Sequence, residues 1–208
     1  SARGALADTA NVKLIAGGMV MLSLATSALV VLPYLQVRNV PPTPGLKPYT
    51  AAELRGRQSY INHGCVYCHS QQPRAAGFAP DAQRGWGRAS VAGDYAYDTP
   101  HLLGTMRTEP DLLNIGVRQP SDQWHLGHLY QPRAYVPGSI MPAYPFLFDL
   151  KDKEAAGDVV VNLPPSQKPL GKVVVAKPEA LDLVAYLKAL DRSFGALPPE
   201  ASASTPAR

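Results

Sequence analysis

The chain has 208 residues, with 20 Lys and Arg against 16 Asp and Glu, a formal net charge of +4, and 21 Pro beside 17 Gly. With 17% charged residues and so many helix breakers it is no coiled coil, and it lacks the several long apolar runs of a polytopic membrane protein. The length suits one ordinary domain plus an appendage, and the absence of basic clusters with interleaved aromatics argues against nucleic acid as a partner.

Residues 14 to 37 form a run of 24 without a charged side chain, flanked by Lys13 and Arg38. At about 1.5 Å per residue a helix needs roughly 20 residues to cross the hydrocarbon core, so this segment is expected to be a single transmembrane helix, with residues 1–13 as its cytoplasmic end. Gly17, Gly18, Ser23, Thr26 and Ser27 are the small types found where membrane helices pack closely. A buried core helix and a cleaved signal peptide are the other readings. The signal peptide fails mostly on length, because its apolar region runs only about 7–15 residues. Residues 38–49 are expected to be a stiff proline-rich spacer, since Pro41, Pro42, Pro44 and Pro48 remove donors and favour extended geometry.

A soluble domain is expected over residues 50–197. It opens with Thr50 and Glu53 in a capping-box pattern, followed by a helix that stops near Asn62, His63 and Gly64. Next comes Cys65-Val66-Tyr67-Cys68-His69, the Cys-x-x-Cys-His signature of covalent haem attachment. Two thiols at this spacing add across the two vinyl groups on one porphyrin edge, and the next residue offers an imidazole nitrogen to the iron. A thioredoxin-like dithiol gives no reason for the adjoining His, and a structural zinc site wants four ligands. Such haem is attached outside the cytoplasm, which overrules the positive-inside count of Arg38, Lys47, Arg55 and Arg57 after the span against Arg3 and Lys13 before it. The domain is therefore expected on the periplasmic side of the bacterial inner membrane.

A haem built for electron transfer takes a sixth ligand, usually Met or a second His. Met19 and Met21 lie in the span, which leaves Met141, in a loop bracketed by Pro137 and Pro142, and Met106 in a less restrained setting; a histidine or an open position stays as a further choice. His125 and His128 stand three apart on a helix expected between Ser121 and Pro132. They read as packing around the haem edge or, with a third ligand, as a metal pair. Arg107 and Arg133 are candidate partners for the haem propionates, against a solvated or backbone-bonding role.

Val159, Val160 and Val161 and the run Lys172 to Val175 bracket a proline-rich stretch and suggest a short hairpin or extended excursion. Pro178 then leads Leu181, Val184, Leu187 and Leu190 in a final amphipathic helix, and residues 198–208 read as a disordered tail. The fold class is mainly α: one N-terminal transmembrane helix and a small haem domain with long loops, like the class I cytochromes c.

Four segments together carry a resemblance: residues 64–71 around the Cys-x-x-Cys-His motif, 107–112 (Arg-Thr-Glu-Pro-Asp-Leu), 124–129 with Pro132 and Arg133, and 139–145 around Met141. Their order and spacing resemble the monohaem cytochrome c subunit (subunit II, the O subunit) of cbb3-type cytochrome c oxidases, the C family of haem-copper oxidases. The likeness covers roughly residues 12 to 150. It implies one covalent haem c on Cys65 and Cys68, with His69 and Met141 on its iron. It also implies a multi-span haem-copper catalytic subunit as partner, and another cytochrome c subunit or a soluble cytochrome c as electron donor. The sequence departs from the family pattern at Glu109, at Phe146, at Gln72-Pro73-Arg74 and over residues 151–177, which leaves a related nitric-oxide-reducing enzyme open as the partner. With one span and both thiols committed to haem, the chain itself is expected to be a non-catalytic electron-transfer subunit. A free membrane-anchored shuttle and a gas-sensing or peroxidatic haem protein are the alternatives, distinguished by a co-purifying multi-span subunit and by an open sixth coordination position.

Overall fold

The computed structural model describes residues 2–194 except residue 105; the tail over 198–208 and the end of the expected domain, 195–197, lie outside the described residues. The chain divides into two compact units, Ser1–Pro41 and Pro42–Arg208.

The first unit is helical from Ala2 to Val37: α1, Ala2–Thr26, a π-helical turn, Ser27–Val31, and α2, Leu32–Val37. The π turn has a local cause. Pro33 has no N–H to give the Leu29 carbonyl four residues earlier and its ring would press on that carbonyl, so the chain widens there, and the Leu32 N–H reaches back five residues to the Ser27 carbonyl. The helix continues through Lys13, so most of the segment expected as a separate end belongs to it, and Thr9–Val37 is long and apolar enough to cross a membrane.

The second unit is built on two packed helices, α3, Ala51–Asn62, and α6, Pro178–Ala189. Thr50 caps α3 as its sequence suggests, its hydroxyl accepting from Glu53 N at 3.3 Å while the Glu53 carboxylate accepts from Thr50 N at 2.6 Å. Tyr60 and Tyr186 meet edge-on in the core, 5.5 Å between centroids, among Leu183, Val184, Leu187 and Leu190. A short α4, Ile115–Arg118, and α5, Asp122–Tyr130, capped by Ser121, complete the helical part.

The only sheet among the described residues is β1, Phe148–Lys151, antiparallel to β2, Val173–Ala176, with Phe148 opposite Ala176. The expected excursion is present: the segment 159–161 runs antiparallel beside β2, Val160 bridging Val175 while Val161 N donates to the Val174 carbonyl at 2.8 Å and Ala176 N to the Val159 carbonyl at 2.9 Å. What the sequence did not announce is β1, the four-residue strand after the Pro145 turn that forms the ladder with β2. The spacer also differs from its reading. From Pro42 onward it belongs to the folded unit: Thr43 is buried, its N–H donating to the Gly93 carbonyl at 3.0 Å and its hydroxyl to Asp94 at 2.8 Å. Prolines stiffen a segment whether it is solvated or packed, so composition alone does not separate the two.

Candidate functional site

Gly64 ends α3 with φ of 72°, a value that glycine adopts without strain, and sends the chain into a tight turn over Cys65–Tyr67. The N–H groups of Cys68 and His69 both donate to the Cys65 carbonyl, at 3.2 and 2.9 Å, so the five-residue motif is one wound turn. Both sulfurs are free thiols, Cys65 half-buried against the core and Cys68 exposed. Burial pushes the Cys65 thiol up to about 11.

The His69 ring is fixed by the backbone. Its Nδ1 lies 2.8 Å from the Pro110 carbonyl, and since a carbonyl only accepts, Nδ1 carries the proton and the Nε2 lone pair is left for a ligand. Burial is the main cause that lowers the His69 pKa, which keeps the imidazole neutral, the form that binds metal.

His69 and Met141 both line one cleft of about 670 Å³, open mouth included, together with Leu112, Ile115, Trp124, Leu129, Val136 and Leu187. Its predominantly apolar lining with a few polar groups is that of a cofactor site. Met141 is held in an irregular loop by two ties: its N–H donates to the Ser139 hydroxyl at 3.2 Å, and Tyr144 N donates to the Leu129 carbonyl at 2.9 Å, tethering the loop to the end of α5. Met106 is 61% exposed and absent from the lining, so of the two methionines only Met141 shares the cleft with His69. Two free thiols wound into the same turn as His69, a thioether across an apolar cleft and a neutral imidazole with a free Nε2 form a donor set that fits a covalently attached haem.

The other expected residues fall differently. His125 and His128 line the cleft, but His125 Nε2 donates to the Gln119 carbonyl at 2.8 Å. The His128 ring stacks on Trp124, with centroids 4.6 Å apart and planes 8° apart. Burial first, then His125 and His69, bring His128 down to about 4, so it is neutral. These two rings are cleft wall. Arg107 is not at the cleft. It donates to Asp81 at 2.7 Å and to the Gln72 carbonyl at 2.6 Å, lies 3.7 Å from Asp111, and sits over the Trp86 ring at 5.5 Å. In this arrangement Arg107 clamps the loop after the motif, with two of its nitrogens engaged by Asp81 and the Gln72 carbonyl. Arg133 is exposed and off the cleft lining.

Sequence reasoning gave no role to Pro110, Trp124, Val136 or Ser139 and marked Glu109 only as a departure from the family pattern; all five line the cleft. Pro110 acts through a backbone carbonyl, which no side-chain pattern reveals. Trp124 sits one residue before His125, and its aromatic surface was the available signal.

The chain matches the family model described as cytochrome C oxidase, mono-heme subunit/FixO, over residues 6–162. No curated protein matches the chain. The matched span holds the apolar helix, the Cys-x-x-Cys-His turn and the Met141 loop; α6, which supplies Leu187 to the cleft, lies beyond it.

Proposed function

The chain belongs to the family of mono-haem cytochrome c oxidase subunits, and from that premise we propose that it is the electron-transfer subunit of a cbb3-type oxidase. In this reading it carries electrons from a periplasmic cytochrome c to the multi-span haem-copper subunit that reduces O2. The observation that carries the proposal is the meeting of His69 and Met141 in one apolar cleft beside a turn with two free thiols.

Haem bound there supplies an iron that takes up and releases one electron with no atom transfer. The residues of the chain do the rest. The thiols of Cys65 and Cys68 would hold the group as thioethers to its vinyl carbons, an addition that would need no oxidant. His69 presents Nε2, with Nδ1–H held by Pro110, and Met141 offers its thioether, a ligand that raises the potential. Leu112, Ile115, Leu129, Val136 and Leu187 exclude water, so little solvent reorganises when the charge changes. The helix Thr9–Val37 anchors the domain at the inner membrane, and the attachment chemistry supports a periplasmic side for it.

Denaturing mass spectrometry of the full chain tests the attachment. The expected mass is that of the polypeptide plus one haem, and the Cys65→Ser, Cys68→Ser double variant carries none. A wild-type chain without added mass contradicts the proposal.

A further inference from the structure

The residue following Pro110 is the most heavily bonded carboxylate near the motif. Asp111 is fully buried, and its Oδ2 accepts from the Ser70 hydroxyl at 2.6 Å and from Gln72 N at 2.7 Å, while its Oδ1 accepts from Leu113 N at 2.9 Å. Ser70 and Gln72 follow His69 on one segment; Leu113 belongs to the segment that carries Pro110. Two backbone bonds join the same segments, Glu109 N to the Cys68 carbonyl at 3.2 Å and Leu112 N to the Ser70 carbonyl at 2.8 Å, and they bracket the pair formed by His69 and Pro110. Behind His69, Gly104 packs so tightly that a Cβ there would lie 2.7 Å from the His69 carbonyl oxygen.

We propose that Asp111 is a positioning residue for the His69 imidazole: its carboxylate staples the segment after the Cys-x-x-Cys-His turn to the segment after Pro110, and so holds the Pro110 carbonyl against Nδ1–H. The inference rests on His69 being the axial ligand. A carbonyl has no side chain to hold it, and a shift of a few tenths of an ångström would lengthen the 2.8 Å bond; the staple is what resists that shift. A well-made Nδ1–H bond makes Nε2 a stronger donor, which favours the oxidised iron. Loosening it therefore raises the reduction potential and lets the Nδ1 proton exchange faster with solvent.

The test uses the haem-loaded full chain and four variants, with two readouts: solvent exchange of the His69 Nδ1 proton by NMR, and the reduction potential. Asp111→Ala removes all three bonds, and exchange is expected to accelerate at least tenfold with a higher potential. Asp111→Asn keeps one acceptor oxygen and should fall between Asp111→Ala and wild type. Ser70→Ala removes one bond and leaves the carboxylate in place, so it moves both readouts the same way by less, and it decides the matter if Asp111→Ala does not fold. Thr43→Ala deletes a buried hydroxyl bond to a different carboxylate, Asp94, and should lower thermal stability while moving neither readout. Wild-type exchange and potential in folded Asp111→Ala or in Ser70→Ala would overturn the proposal, as would equal changes in Thr43→Ala. Failure of the underlying reading is separate: His69→Ala would then keep the spectrum of a six-coordinate low-spin haem.

Discussion

Gly56 of α3 lies so close to Asp182 of α6 that a Cβ on it would come within 1.8 Å of the Asp182 carbonyl oxygen. The two helices on which the second unit is built touch backbone to backbone, and one missing side chain allows it. Beside this contact Arg55 grips the Asp182 carboxylate with two hydrogen bonds of 2.7 and 2.8 Å, an exposed pair of small weight.

Gly56→Ala is accordingly expected to destabilise the domain by about 1–3 kcal/mol, the usual cost of overpacking, even though alanine favours a helix by about 1 kcal/mol over glycine. Denaturant unfolding of the haem-loaded protein measures it. An unchanged or raised midpoint would show that the helices separate freely.

The bonds of Thr43 to Gly93 and Asp94 place the start of the folded unit before the capping box. A chain beginning at Pro42 should be soluble and keep its haem, with the stability of the full-length domain. A chain beginning at Tyr49 loses the Thr43 hydroxyl bond to a buried carboxylate and should unfold about 1–3 kcal/mol more easily. Equal midpoints for the two would return residues 42–48 to the role of a spacer.

Acid should weaken the domain through Asp81 and Asp94. Burial pushes both carboxyls up, but the bonds from Arg107 and the Arg74 N–H to Asp81, and from Arg88, the Val91 N–H and Thr43 to Asp94, outweigh it and hold both below the usual carboxylate range. A carboxylate whose pKa is lower when folded stabilises fully above its unfolded value and loses that stabilisation as pH falls through its folded one. The thermal midpoint should thus be flat near neutral pH with respect to these groups and fall below about pH 4. Asp94→Asn should show a lower midpoint at pH 7 and a shallower acid slope. An acid slope identical to wild type would remove Asp94 from this account.

Met141→Ala should open a coordination position. In the reduced, haem-loaded chain this variant gains carbon monoxide binding, and in the oxidised chain it loses the weak sulfur-to-iron absorption. Met106→Ala should leave both as in wild type, because Met106 stands exposed outside the cleft. Carbon monoxide binding gained in Met106→Ala instead would reassign the ligand.

Much of this is legible in the sequence. The Thr50 and Glu53 cap, the helix that starts at Pro178 and the long apolar helix depend on local rules, and each stands where its residues put it. The motif names Cys65, Cys68 and His69 by chemistry alone, and prolines around Met141 mark a stiff loop. What escaped depends on long-range partners. Arg107 looked free for an anionic group until Asp81, 26 residues away, took its Nη1. Phe148–Lys151 is too short to announce a strand without β2 beside it. The Pro110 carbonyl and the Asp111 staple lie in backbone geometry, which residue types do not spell out.

Turnover of the purified oxidase complex carrying His69→Ala, driven by reduced cytochrome c, tests the central claim most directly. Oxygen consumption should fall to background while the catalytic haems of the same preparation bind carbon monoxide as in wild type, because the relay is broken and the reaction centre is not. Wild-type oxygen consumption in that variant would contradict the claim that electrons reach the catalytic subunit through this chain.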